Sequence, residues 1–130
     1  MSINKKTREL VYLKYDKRCS YCGNELYSIK DMEVDHIIPK KNFFIKNNDK
    51  VPYFLVHLKE GDVDHYDNLN PSCRACNGFK GTLDLETFRS ELSKQIERAN
   101  KYSVNYRMAK RYGLVEENIM PIVFYFENID

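Results

Sequence analysis

The stretch Asn68-Leu-Asn-Pro-Ser-Cys73-Arg-Ala-Cys76-Asn77-Gly-Phe-Lys80-Gly81 sets two kinds of ligand chemistry side by side. Cys73 and Cys76 form a Cys-x2-Cys knuckle, a turn that puts two sulfurs on one side of a tight loop. Asn77 follows at once, and its amide oxygen suits a hard cation. Upstream lie a second Cys-x2-Cys at Cys19 and Cys22 and the run Val34-Asp35-His36-Ile37-Ile38-Pro39. The reading that organises the chain is that four thiolates fix the fold, and that the fold draws Asp35, His36 and Asn77 together.

Two Cys-x2-Cys pairs could be two disulfides or one tetrahedral zinc site. Met1 to Arg18 is dense in charge and has no apolar h-region, so it does not read as a signal peptide. Thiols in a reducing compartment stay free for metal. The expectation is therefore a soluble, cytoplasmic chain whose Cys19, Cys22, Cys73 and Cys76 hold structural Zn2+. Four sulfurs close the shell and leave no open position for catalysis. The interval from Cys22 to Cys73 is longer than in a compact zinc ribbon, so a self-contained hairpin must fill it. No apolar run approaches the roughly 20 residues of a membrane span, and no membrane partner is expected.

The 130 residues carry 21 basic and 19 acidic side chains, a balance too even to argue for nucleic acid by itself. The distribution is more telling. Residues 1–18 hold six basic against two acidic groups, residues 94–111 hold six against one, and residues 115–130 hold four acidic and no basic group. Such blocks allow a local surface that attracts phosphate.

The pattern reads as one α+β domain over 1–130, with a core at about 17–82 and an extension of helices and a strand at about 83–130. Leu10 and Leu13 mark the apolar side of a helix over 4–16. Gly23-Asn24 gives a turn after the first knuckle. Residues 32–36 and 69–72 read as short strands, and a helix opens at about Cys76 or Asn77. Asp84 is a candidate N-cap. Phe88, Leu92, Ile96 and Ala99 give an amphipathic helix over roughly 85–100. Ser103 caps a further helix with Val104, Met108 and Tyr112 inward and Gly113 as its stop. Residues 121–126 read as a buried strand. Residues 40–66 read as an insertion packed on the core, with turns at Asn47-Asn48-Asp49 and Gly61-Asp62.

Asp35-His36 is the sharpest chemical signal. A histidine ordinarily titrates near ~6.5 and can take a proton at neutral pH, and a carboxylate beside it can hold a divalent ion. Neighbours in a regular strand point to opposite faces, so sharing one site requires the strand to end or bulge here. Pro39 is consistent with such an ending.

Taken together, Cys-x2-Cys, then Val-Asp-His-Ile-Ile-Pro, then Asp-Asn-Leu-x3-Cys-x2-Cys-Asn-x2-Lys-Gly strongly resembles the HNH endonuclease family. The resemblance covers Cys19 and Cys22, Val34 to Pro39 and Asp67 to Gly81. It implies a ββα-metal (His-Me finger) core with zinc knuckles, flanked by N- and C-terminal helices and the C-terminal strand. It implies His36 as general base, Asp35 as metal ligand, and Asn68 as a brace on the loop that carries the histidine. Asn77 stands where many members have the final histidine, which makes it the second metal ligand. An amide oxygen favours Mg2+ or Mn2+ there.

The implied reaction is hydrolysis of DNA phosphodiester bonds to 5′-phosphate and 3′-hydroxyl ends. His36 takes a proton from water, and one divalent ion assists the leaving oxygen. Lys80, one turn beyond Asn77, is expected to meet a phosphate, together with Lys40 and Lys41. The long interval from Pro39 to Asp67 leaves open whether His57, Asp62, Asp64 or His65 enters the site; His57 and His65 read as structural or surface histidines. Two alternatives stand beside the nuclease. One is a catalytically silent, zinc-stabilised nucleic-acid-binding or adaptor module. The other is an effector subunit active only in a larger complex, with 83–130 serving a protein partner or a second copy.

Overall fold

A computed structural model of the chain describes residues 3–43 and 51–129. The expected turn at Asn47-Asn48-Asp49 lies outside the described residues. The fold is α+β: a two-stranded antiparallel sheet with a helix directly after it, surrounded by helices.

Helix α1 (Lys5–Leu13) starts where the Asn4 side chain accepts from the Thr7 amide, and it buries Val11. It is three residues shorter than the sequence predicts at its far end and one shorter at its start. Asp16 and Lys17 both take positive φ, which ends the helix and turns the chain into the first knuckle. There Gly23 sits at φ 79, and a Cβ in its place would come within 2.9 Å of the Tyr125 ring. Arg8 ties α1 to the sheet entrance through the carbonyls of Ile29 and Met32.

Strand β1 (Glu33–His36) pairs with β2 (Leu69–Ser72), with Asp35 opposite Asn70 and His36 opposite Leu69. Cys73 then caps helix α2 (Arg74–Lys80), which begins two to three residues earlier than expected. The knuckles meet because the Ser20 amide donates to the Pro71 carbonyl at 2.8 Å.

Two apolar clusters flank the sheet. One gathers Val11, Leu26, Met32 and Leu69. The larger gathers Tyr21, Ile37, Ile38, Leu55, Leu85, Phe88 and Phe124, with Val51, Phe54 and Leu58 of the insertion packed on it. The insertion is thus anchored in the core.

The C-terminal part departs from the sequence pattern in three places. The helix expected over 85–100 is two, α3 (Leu85–Ser93) and α4 (Gln95–Tyr102). The Ser93 hydroxyl donates to the Ser90 carbonyl and the Gln95 amide takes the Glu91 carbonyl, so side chains occupy acceptors that a continuous helix would use. Helix α5 (Val104–Arg111) is capped by Ser103 as expected, but Val104, Met108 and Tyr112 are exposed. Its inner side is Tyr106, whose hydroxyl donates to Glu117.

The expected strand over 121–126 does not form. Tyr125 and Phe126 donate to the carbonyls of Tyr21 and Ser20, and residues 125–128 then coil into the short helix α6 (Tyr125–Asn128). Arg89 fixes this tail through the Ile122 carbonyl and the Glu127 carboxylate while lying over the Phe124 ring. Phe124 stacks on Phe88 and meets Tyr21 edge-on. The apolar run is consumed by ring packing rather than by a ladder.

Candidate active site and metal centre

Cys19, Cys22, Cys73 and Cys76 converge until their sulfurs all lie within 4.8 Å of one another. Zn–S bonds of about 2.3 Å set tetrahedral sulfurs about 3.8 Å apart, and Cys22 and Cys73 Sγ stand at 3.8 Å. Burial pushes the Cys22 thiol up to about 11. Cys76 is also pushed up, first by its hydrogen bond to Cys19 and then by burial. Cys19 moves the other way, down to about 4, as the acceptor of the Cys76 thiol. The donor set and its spacing fit one zinc ion.

His36 ends β1, and the chain turns away immediately after it. The Ile37 amide still donates to the Asn68 carbonyl at 2.9 Å. The Asn68 side chain, fully buried, then accepts from the Ile38 amide at 2.8 Å and donates to the carbonyls of Ile38 at 3.2 Å and Val63 at 2.9 Å. It clasps the two ends of the insertion next to the histidine. Beside this clasp opens a cleft of 340 Å³, lined by Asp35, His36 and Asn77 with Lys40 and Lys41 among its other walls. Lys40 and Lys41 are exposed. Asp35 and His36, neighbours in one strand, both line this cleft.

Asp35 is 3 % exposed, and both its oxygens have partners. Lys80 Nζ donates to Oδ1 at 3.2 Å, and the Tyr21 hydroxyl donates to Oδ2. Burial raises the Asp35 carboxyl above its usual range, opposed by the Lys80 charge. The same burial, with Asp35 alongside, raises the Tyr21 hydroxyl well above a free phenol. Lys80 also donates to the His36 carbonyl at 3.0 Å. Its side chain is 0 % exposed, so the lysine expected to meet a phosphate instead faces inward. A helix one turn long beyond Asn77 aims it back at the sheet, where its ammonium neutralises a buried carboxylate.

The Asn77 backbone amide donates to the Cys73 carbonyl at 2.9 Å, while its side-chain amide has no hydrogen-bond partner among the described residues. Each oxygen of a carboxylate accepts more than one bond. Asp35 and Asn77 both line the cleft, and the Lys80 ammonium already holds one of the Asp35 oxygens.

His36 Nε2 lies 2.7 Å from Asp64 Oδ1, so of the four insertion residues left open by the sequence it is Asp64 that reaches the histidine. His57 instead pairs with Asp67, and His65 accepts from the Asp67 amide. Both are exposed. Asp62 caps the Lys59 amide. Tyr21 and the inward Lys80 carried no signal in the sequence, because a pairing between a knuckle, a strand and a helix has no local spacing. No helix among the described residues is long and apolar enough to cross a membrane.

No family model matches the chain, and no solved structure matches it. The chain is similar to the Septu protein PtuB of Bacillus thuringiensis, with 37% identity over 70 residues, covering 53% of this chain and 21% of that protein. It therefore spans about a fifth of the length of the relative it matches.

Proposed function

We propose that this chain is a metal-dependent endonuclease of the HNH type acting on DNA. The observation that carries the reading is the convergence of His36, Asp35 and Asn77 on one cleft with Lys40 and Lys41 on its walls. The ordered motifs and the sulfur cluster support it, as does the partial similarity to PtuB.

In this reading His36 accepts a proton from the water that attacks phosphorus. Asp35 and Asn77 would hold a divalent ion, which when bound would supply Lewis-acid stabilisation of the developing negative charge. Lys40 and Lys41 attract the backbone, contacts that carry little sequence information. Lys80 keeps the Asp35 carboxylate in place from behind. The four cysteines take no part in the reaction; their zinc holds β1 and α2 at the spacing the cleft requires.

The test is plasmid nicking with Mg2+ or Mn2+. His36→Ala is expected to lower the rate by roughly 10²–10⁴-fold, the contribution of a positioned general base, with zinc content and melting temperature unchanged. Undiminished nicking by that variant removes His36 from the chemistry. A second reading, a silent binding module, draws on the Lys80 ammonium that already neutralises Asp35. It expects DNA binding by a wild type that never cleaves with either ion.

A further inference from the structure

We propose that Asp64 is a positioning residue: it fixes His36 with the proton on Nε2 and presents the bare Nδ1 to the cleft. The catalytic half of this proposal rests on the nuclease reading; the tautomer half does not.

A neutral imidazole has one N–H and one lone pair, and the partner of one nitrogen decides the state of the other. A carboxylate only accepts hydrogen bonds, so Nε2, 2.7 Å from Asp64 Oδ1, is the donor. Nδ1 has no partner among the described residues. The ring is also sheltered, its side chain 16% exposed against 36% for Asp64.

The loop that carries Asp64 is built to hold it still. The amides of Asp62, His65 and Asn68 donate in succession to the carbonyls of Lys59, Asp62 and His65, at 2.9, 2.9 and 2.8 Å. Successive closed turns leave little freedom between residues 59 and 68. Asn68 then grips the Val63 carbonyl, one residue before Asp64, and the Ile38 backbone, two residues after His36. One buried amide thereby locates both members of the His36–Asp64 contact. When Nδ1 takes a proton from water, the ring carries two N–H groups and a positive charge, and Asp64 still accepts from Nε2. The arrangement needs no proton to leave Nε2.

Ring-nitrogen NMR on full-length protein with 15N-labelled histidine reads the tautomer directly. At about pH 8.5, above the ordinary imidazole range, wild-type His36 is expected to show a protonated Nε2 and a bare Nδ1. In Asp64→Ala the Nε2 proton is expected to lose its protection, with the two tautomers in exchange. In nicking assays the same variant should lose kcat by on the order of 100-fold, the cost of a misplaced reacting group, with KM unchanged. Asp64→Glu should recover more of that loss than Asp64→Asn, because only Glu keeps an acceptor-only group. A wild-type spectrum with the proton on Nδ1 overturns the proposal, as does an Asp64→Ala variant with unchanged ring signals and kcat. If the alanine variant does not fold, the wild-type spectrum alone decides. A wild type that shows the protonated Nε2 but cleaves no DNA ends the nuclease reading and leaves the assignment of Asp64 standing.

Discussion

Lys80 is the residue on which the sequence and the structure differ most. Three residues after Asn77 on a short helix, it reads as a phosphate contact. In the fold it is enclosed, with Asp35 Oδ1 and the His36 carbonyl as its partners. Removing one member of a buried ion pair leaves the other uncompensated and costs about 3–5 kcal/mol, whereas removing both is often close to neutral. Lys80→Met is therefore expected to lower the unfolding free energy by an amount in that range, read from urea denaturation of zinc-loaded protein. Lys80→Met combined with Asp35→Leu should recover most of it. A single variant as stable as wild type would mean that the Asp35 carboxylate is not held by this ammonium. Surface exposure of one side chain is not legible from spacing alone, because it depends on which element packs behind the helix.

At the scale of elements, α1 and β2 are joined by Lys14. Its ammonium donates to the carbonyls of Tyr66 and Leu69 at 3.0 and 2.8 Å and lies over the Tyr66 ring. Burial pulls its pKa down from 10.5 to about 8, opposed by Asp67. A depressed lysine costs the fold while it is charged. Its contribution is thus fully favourable above the unfolded value and is lost as pH falls through the folded one. Wild type should gain stability relative to Lys14→Met as pH rises from about 8 towards 10.5. A pH-independent difference between the two would refute the burial of that charge. The two strands, the second knuckle and the caps at Asp84 and Ser103 were readable because each depends on residues a few positions apart. The broken helix at Ser93 and Lys94 and the tail at 121–126 were not. The first turns on side-chain competition for carbonyls, and the second on rings from distant parts of the chain, with Phe88 stacked on Phe124 and Tyr21 edge-on to it. Likewise, apolar spacing in α5 gave a stripe but not its facing, and Tyr106 took the inner side.

For the whole molecule, the sulfur cluster joins segments on either side of the sheet. Structural zinc binds with apparent free energies of about 10–16 kcal/mol, energy that is also folding energy. A chain of this size has little reserve to replace it. Stripping the cysteine-bound metal is expected to abolish the near-ultraviolet circular dichroism of the aromatic cluster and to release four reactive thiols together. Restoring Mg2+ alone should not bring back nicking; restoring zinc and Mg2+ should. A stripped protein that keeps its aromatic signal and its melting temperature would show that the cluster is not what closes the fold.

The separation of the two knuckles also has a consequence during synthesis. A polypeptide grows from its N-terminus at roughly 5–20 residues per second, so the 54-residue interval from Cys22 to Cys76 takes roughly 3–11 s to translate. Throughout that time the first thiol pair waits on the ribosome without its mates, open to a stray copper ion or peroxide. Phe124, whose ring packs edge-on against Tyr21 of the first knuckle, is translated later still.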